Sequence, residues 1–180
     1  HYLEMTTMKT RCAEASRIAR YLSTKYETST PVDSIICLDG LEVVGAFLAE
    51  ELAKAGVLSM NAHKTIYIVT PEFNGNGQLM FRDNIQHMVR NRNVVILMGS
   101  ITTGETLRKC MESILYYGGT IQGVSSIFSA VNKVAGLDIN AVFYKKDVPD
   151  YQTHKASECP MCRNGQRLDA IVNGYGYSKL

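Results

Sequence analysis

The sequence predicts an α/β fold, with a mostly parallel central sheet flanked by helices. Short, continuous apolar runs of the kind that form buried strands alternate with segments in which apolar residues recur three or four positions apart. Small-residue turns follow two of the apolar runs, at residues 39–45 and 99–106. This alternation is typical of βαβ units, whose parallel strands are buried on both faces. Because ligands bind beyond the carboxyl ends of such strands, both turns are candidate sites.

The first half of the chain is expected to contain two helices and two strands. Residues 5–26 have apolar side chains at helical spacing, with Lys9 and Arg17 on the opposite, polar side. A second helix is expected at residues 44–55, because its apolar side chains share one face and Gly56 follows as a stop signal. The two strands are expected in an apolar run at residues 34–38 and in a β-branched run at residues 65–69.

The second half repeats this alternation after an irregular stretch. Residues 71–77 contain Asn-Gly twice, which predicts a flexible loop, and residues 79–90 are either a short helix or an extended arm. The run at residues 94–98 is the strongest strand signal in the chain, and the turn at 99–104 and a helix at 105–117 follow it. Two further strands are expected at residues 121–128 and 139–144. The polar segment from Pro149 onward is expected to cover an edge or end of the sheet.

The composition excludes several classes of function. Apolar residues make up 46% of the chain and charged residues 20%, which is ordinary for a globular domain. The net charge of +2 and the absence of any Lys/Arg run argue against a nucleic-acid partner. No apolar run is long enough to cross a membrane, so no membrane association is expected. The five cysteines show no dense disulfide pattern, which favours a reducing, cytoplasmic location.

The turn after the strand at residues 94–98 is the strongest candidate for a binding site. The first N–H groups of the helix that follows lack intrahelical partners, and the helix dipole adds positive charge there, so a phosphate can bind without a basic side chain. Gly104 is expected to leave room for close approach of the anion. Thr102 or Thr103 as a simple helix cap is the alternative interpretation. The predicted phosphate-binding residues are Ser100, Ile101, Thr102, Thr103, Gly104, Glu105 and Thr106.

The segment Ile101-Thr102-Thr103-Gly104-Glu105-Thr106-Leu107 resembles the phosphoribosyl pyrophosphate signature of the type I phosphoribosyltransferases. In that family a hydrophobic strand leads into two acidic residues, two variable residues and then Thr-Thr-Gly-x-Thr. Residues 39–49 resemble the family's first strand-to-helix turn, which contacts pyrophosphate, and residues 74–77 fall where the family has its mobile catalytic loop. The order and spacing of these pieces over residues 33–145 agree with the orotate branch.

The resemblance implies one domain over residues 1–180, with a core at about 33–145 and an extension at 146–180. It implies a small hood formed by the N-terminal helix and the C-terminal tail, and a homodimer. The implied partner is phosphoribosyl pyrophosphate or a nucleoside monophosphate, and Mg²⁺ would neutralise the pyrophosphate. The implied pyrophosphate-loop residues are Asp39, Gly40, Leu41 and Glu42, and the two carboxylates are candidates for holding Mg²⁺ through water.

Two departures from the family pattern leave the activity open. Met98 and Gly99 stand where the two acids are expected, and the family uses those acids to bind the ribose hydroxyls. The loop near residues 74–77 lacks the lysines of the orotate enzymes, so Lys64 and Arg82 are the nearby candidates for pyrophosphate contacts. Two hypotheses follow: an enzyme that transfers the phosphoribosyl group to a base, orotate among the candidates, or a protein that senses the nucleotide or the pyrophosphate compound without catalysis.

A cysteine pair near the end of the sequence suggests a third hypothesis, a zinc or redox protein. Cys159-Pro-Met-Cys162 has the spacing of half a zinc site, to which His154 or a second copy of the pair could add ligands. A turn with two unpaired thiols is the alternative. Residues 171–177 place glycines between aromatic residues, and they either fold over the mouth of the site or form a loosely packed terminus.

Overall fold

The fold was analysed in a computed structural model that describes residues 2–54, 60–75, 77–154 and 156–180. Its strands are β1 (Ser34–Cys37), β2 (Tyr67–Val69), β3 (Glu72–Phe73), β4 (Leu79–Met80), β5 (Asn93–Ile101), β6 (Thr120–Ser129), β7 (Lys133–Val134), β8 (Leu137–Tyr144), β9 (Ala170–Asn173) and β10 (Gly176–Lys179). Its α-helices are α1 (Thr6–Thr10), α2 (Cys12–Ser23), α3 (Glu42–Lys54), α4 (Asp83–Gln86), α5 (Glu105–Tyr116) and α6 (Pro160–Arg163).

A six-stranded sheet in the order β2-β1-β5-β6-β8-β7 forms the centre of the molecule. Four neighbouring pairs are parallel, and β7 alone runs antiparallel to its neighbour β8. Helices flank this sheet, which confirms the predicted fold class. Among the described residues, each helix is too short or too polar to cross a membrane.

The alternation of side chains along β5 divides the core into two layers. Val94, Ile96 and Met98 pack into a cluster that includes the buried face of α5, whereas Val95 and Leu97 pack into one that includes α2 and α3. Both faces of this strand are therefore dry, which explains why its sequence is apolar without interruption.

The two elements that frame the predicted site differ in length from the prediction. Strand β5 does not stop at Met98 but runs to Ile101, because residues 100 and 101 continue to pair with β6. The turn predicted at residues 99–104 is correspondingly shorter. The predicted helix at residues 5–26 is two helices, which meet at Arg11, a residue with extended backbone angles.

The stretch predicted as a loop contains a small hairpin of β3 and β4, and α4 follows it. Asn74 and Gln78 hydrogen-bond to each other through their backbones and side chains where the two strands meet. Asn76, which belongs to the predicted loop, lies outside the described residues, and so do Ala55 and Gly56 at the predicted end of α3.

The carboxyl ends of the parallel strands lie at one edge of the sheet, and the flanking segments converge there. The turn after β1 begins at Asp39, and the turn after β5 leads into α5. Helix α1 and the C-terminal hairpin, defined as residues 170–179 with their turn, meet over this edge, where Lys9 contacts Gly174 and Tyr2 contacts Tyr177. They form the hood that the resemblance implied.

Candidate functional site

A cavity of about 280 Å³ opens at the carboxyl edge of the sheet. Its wall combines residues from the N-terminal segment, the end of β5, both strand-to-helix turns, the end of β6, the segment after β8 and the C-terminal hairpin. These include Tyr2, Met5, Lys9, Asp39, Met98, Ser100, Thr102, Thr106, Phe128, Tyr151, Asn173 and Gly174. The position follows the general rule that open parallel sheets bind ligands beyond their carboxyl ends.

The loop at residues 100–106 contributes three hydroxyl-bearing side chains to the cavity wall, those of Ser100, Thr102 and Thr106. Helix α5 begins in the same loop at Glu105, and its 12 residues carry a dipole whose positive end lies beside these hydroxyls. The N-cap residue is Gly104, which has no side chain to accept from the first amides of the helix. The start of α5, where helix amides lack intrahelical partners, therefore lies next to three hydroxyl-bearing residues of the cavity wall.

The remaining predicted members of this loop have other surroundings. The side chain of Ile101 is only 2% exposed and packs in the hydrophobic core, so only its backbone is available to a ligand. Thr103 is exposed, and its hydroxyl accepts a long hydrogen bond of 3.4 Å from the Glu105 amide. Glu105 is exposed and does not line the cavity.

Gly104 has a different role from the one predicted. Its φ of +81° is a left-handed conformation that favours glycine, and a Cβ atom here would lie 2.7 Å from Cγ2 of Val134 on β7. The missing Cβ would therefore point into packed protein rather than toward the cavity. The expectation that this glycine makes room for an anion is therefore corrected. Gly104 allows the chain to turn into α5 and allows this turn to pack closely against Val134 of β7.

The turn after β1 uses its polar groups within the protein. Asp39 and Gly40 both have positive φ values, +59° and +73°. The Oδ2 atom of Asp39 accepts a hydrogen bond of 3.0 Å from the amide of Gly99. A Cβ atom at residue 99 would lie 3.2 Å from both Asp39 Cβ and Lys9 Nζ. The space beside residue 99, where the family pattern has an acid, is therefore taken by the Asp39 carboxylate and the Lys9 ammonium.

The other residues predicted for this turn and for metal binding have different surroundings from one another. Leu41 is fully buried in the core, and Glu42 is exposed and accepts a hydrogen bond of 3.0 Å from Thr70 Oγ1. The two candidate carboxylates, Asp39 and Glu42, are thus engaged by different protein donors. Within the described part of the chain, no group of three acidic, His or Cys side chains is placed to hold a metal ion. These residues do not fit a protein-held Mg²⁺ site in this arrangement.

Lys9 is a cavity residue that sequence reasoning missed. Its Nζ atom donates to the carbonyl oxygens of Asp39 at 2.8 Å and Gly174 at 2.7 Å. Burial lowers the pKa of this half-buried ammonium, and the negative charge of Asp39 opposes the shift. The sequence pattern placed Lys9 on the polar side of a helix. No local signal could distinguish it, since its partners are 30 and 165 positions away.

The structure does not bring Lys64 or Arg82 to the cavity. Lys64 pairs with Asp33 at 3.8 Å, and Asp33 precedes β1, at the opposite edge of the sheet. Arg82 forms an ion pair of 2.6 Å with Glu72, next to the small hairpin. Both cations are near the predicted loop in sequence, but Lys64 precedes β2 at the amino edge of the sheet and Arg82 is held beside the small hairpin.

The cysteine pair lies at the exposed helix α6, apart from the cavity. Both thiols are free, and the pKa of Cys159 is lowered because the backbone N–H and thiol of Cys162 hydrogen-bond to it. His154 lies 3.3 Å from the Gln152 side chain. Because no group of three potential ligands forms among the described residues, the hypothesis of a zinc site within one chain gains no support.

Comparison with known proteins finds similarity in structure only. Adenine phosphoribosyltransferase from Thermoanaerobacter pseudethanolicus matches with a TM-score of 0.59 and 16% identity, covering 79% of this chain and 87% of that one. Orotate phosphoribosyltransferase from Mycobacterium tuberculosis matches with a TM-score of 0.57 and 14% identity, covering 82% of each chain. The fold is that of the type I phosphoribosyltransferases.

A third phosphoribosyltransferase, the orotate enzyme from Aeropyrum pernix, matches with a TM-score of 0.56 and 19% identity, covering 82% of this chain and 80% of that one. No family model and no curated protein matches the sequence. Because enzymes for adenine and for orotate resemble the chain about equally, the phosphoribosyltransferase fold does not by itself select a base.

Proposed function

We propose that this chain binds the 5′-phosphate of a phosphoribosyl compound and transfers the phosphoribosyl group from phosphoribosyl pyrophosphate to a nucleobase. One observation carries the proposal: Ser100, Thr102 and Thr106 line a cavity beside the start of α5. Hydroxyls beside the first amides of a helix are the kind of donor set that binds a phosphate.

In this proposal the protein acts mainly by position and by exclusion of water. The loop at residues 100–106 fixes the phosphate, and the hood of α1 and the C-terminal hairpin covers the ribose side of the cavity. Phe128 and Tyr151, whose rings are 4.8 Å apart, give one wall an apolar surface suited to a planar base. Displacement of pyrophosphate at the anomeric carbon then needs few protein acids or bases. Mg²⁺ would enter with the pyrophosphate compound as part of the substrate.

Orotate is the base we propose, and its support is the resemblance in order and spacing to the orotate branch. Lys9 adds support, because among the described residues it alone brings positive charge to the cavity wall, and orotate is an anion. The same resemblance supports a homodimer and a single domain with a core at about 33–145, and the absence of a dense disulfide pattern supports a cytoplasmic location.

A second candidate function, sensing without catalysis, is favoured by one specific observation. Met98 lines the cavity with an apolar side chain, and the space at residue 99 is filled by Asp39 and Lys9. No carboxylate is therefore presented to the ribose from the end of β5. Each charge-assisted hydrogen bond lost there weakens ribose binding by about 1.5–3 kcal/mol.

The test separates binding from turnover. Isothermal titration should show binding of ribose 5-phosphate, and of phosphoribosyl pyrophosphate with Mg²⁺, under both candidate functions. Release of pyrophosphate on addition of orotate should occur only for a transferase, with adenine and hypoxanthine as comparison bases. Binding without release for every base would leave the sensing function. Absence of binding of either phosphate compound would refute both.

A further inference from the structure

The C-terminal hairpin reaches the cavity through a rigid turn. Asn173 Oδ1 accepts hydrogen bonds from the amides of Tyr175 at 2.9 Å and Gly176 at 3.2 Å, which fixes the four residues of the turn. Asn173 and Gly174 line the same cavity as the loop at residues 100–106. The hairpin is therefore part of the cavity wall.

Gly174 fits closely over the turn after β1. A Cβ atom at this position would lie 2.3 Å from Oδ1 of Asp39, so a side chain here would force the Asp39 carboxylate or the hairpin to move. The ring of Tyr175 covers Gly40 next to it, 3.7 Å from the place of a Cβ atom there. The hairpin thus covers the turn that the family resemblance associates with pyrophosphate.

Lys9 connects the hairpin to this turn from a third segment of the chain. Two carbonyl oxygens, those of Asp39 and Gly174, accept from its ammonium, which carries three N–H groups. Because Lys9 also lines the cavity, an anion there lies within the field of the same charge that holds the hairpin. A bound anion would favour the charged form of Lys9 and the hydrogen bonds to Asp39 and Gly174 that hold its ammonium at the cavity.

The rest of the hairpin contributes little to its own attachment. Three of the four residues in each strand are exposed, including Ile171 at 63% and Tyr177 at 52%. Tyr2 meets Tyr177 with ring centroids 5.7 Å apart. A two-stranded hairpin without a packed face is marginally stable alone, so its docking depends on the contacts of the turn.

We propose that the C-terminal hairpin is a lid over the anion cavity and that Lys9 is the latch that couples its closure to anion binding. The proposal rests on the phosphate-binding function proposed above. With the anion bound, Lys9 is shared between the anion and the Gly174 carbonyl, and the lid stays closed. By thermodynamic reciprocity, closing the lid raises the affinity for the anion by the same factor.

Hydrogen–deuterium exchange of the whole chain tests the latch directly, with inorganic phosphate and ribose 5-phosphate as probes. In the parent protein, either probe should slow exchange at residues 170–179. Lys9→Met should speed exchange there without ligand, abolish the response to ligand, and weaken ribose 5-phosphate binding about tenfold or more. Lys9→Arg, which keeps the charge, should restore part of both responses. Lys54→Met, which removes an exposed lysine paired with Glu50 on α3, is the matched control.

A second variant changes the lid itself and leaves the Lys9 side chain in place. Gly174→Ala should also speed exchange at residues 170–179, because its methyl group would collide with Asp39, whereas Ser178→Ala at an exposed position of the same hairpin should not. Lys9→Met with parental exchange and affinity would overturn the proposal. If the parent protein binds neither probe, the phosphate function fails. The coupling then fails with it; faster exchange in unliganded Lys9→Met would still show that Lys9 holds the hairpin, and unchanged exchange would refute that attachment as well.

Discussion

The two edges of the parallel sheet use their polar groups in opposite ways. At the amino edge, Asp33 Oδ2 accepts from the backbone amide of Asn93 at 2.9 Å and from its side chain at 2.7 Å, and Lys64 lies 3.8 Å from Oδ1. At the carboxyl edge, Ser100, Thr102 and Thr106 face a cavity. Polar groups that satisfy one another join strands, whereas polar groups that face open space are available to a ligand.

The carboxyl edge itself contains both kinds of group. The loop after β5 presents donors to the cavity, while the Asp39 carboxylate is held by the Gly99 amide. Loss of a group that is held within the protein should therefore lower stability, whereas loss of a group that faces the cavity should lower affinity alone. The following four substitutions test this separation.

Gly104→Val should have the largest effect, and it should act on the fold. The substitution forces a β-branched residue into a left-handed conformation and against Val134, at a cost on the order of 3 kcal/mol. Differential scanning calorimetry should show the melting temperature lowered by roughly 6–12 °C. Gly75→Ala, where the methyl group would meet open space, should melt like the parent. A Gly104→Val protein that melts normally but loses phosphate binding would restore the original interpretation of this glycine.

Asp39→Ala should lower stability by about 1–3 kcal/mol, because it leaves the buried Gly99 amide without its acceptor. Urea denaturation measures this change in the free energy of unfolding. Glu42→Gln, at the exposed neighbouring carboxylate, should stay within about 0.5 kcal/mol of the parent. Equal effects of the two substitutions would mean that the hydrogen bond from the Gly99 amide to Asp39 does not stabilise the fold.

Thr102→Val should weaken ribose 5-phosphate binding about tenfold, because one hydrogen bond to a charged group is worth about 1.5–3 kcal/mol. The free energy of unfolding should change by less than about 0.5 kcal/mol, since the hydroxyl faces the cavity. Titration calorimetry and urea denaturation of the same sample give the two values. Thr120→Val, at the exposed start of β6, is the control for binding. Loss of stability without loss of affinity would mean that the Thr102 hydroxyl stabilises the fold and does not bind the phosphate.

Asp33→Asn should have the smallest effect, and the effect should depend on pH. Burial raises the pKa of Asp33, but hydrogen bonds from Asn93 outweigh it and leave the pKa below its usual value. The charged carboxylate therefore stabilises the fold above about pH 4, the pKa of an unfolded Asp, and this contribution is lost as the pH falls through the lower folded value. Urea denaturation at pH 7 should show a loss below about 1 kcal/mol that disappears near pH 2. A loss that grows toward acid pH would contradict this assignment.

The sequence predicted the fold well where periodicity was strong. The buried run at residues 94–98 and the amphipathic helix after it became β5 and α5, and the alternation of elements gave the parallel sheet. The short hairpin of β3 and β4 was missed, because strands of two residues carry no periodic signal. The break at Arg11 was missed because apolar spacing continues across it.

The candidate site was predicted in part. Ser100, Thr102 and Thr106 were identified because a strand, a small-residue turn and a helix are local features. Lys64 was predicted near the site because it is close to the loop in sequence. It precedes β2, however, and therefore lies beside Asp33 at the amino edge of the sheet. Gly104 was identified correctly as special, but the neighbour that requires a glycine, Val134, is 30 positions away on β7.

By itself, the sequence determined the layers of the fold and the loop at residues 100–106 that leads into α5. Both depend on backbone propensities and on the period of apolar residues. Only the tertiary structure decided that Lys9, Asp39 and Gly174 meet at one edge of the cavity. These contacts join segments from both ends of the chain. A local sequence pattern cannot predict them, because the topology of the whole chain decides which distant residues become neighbours.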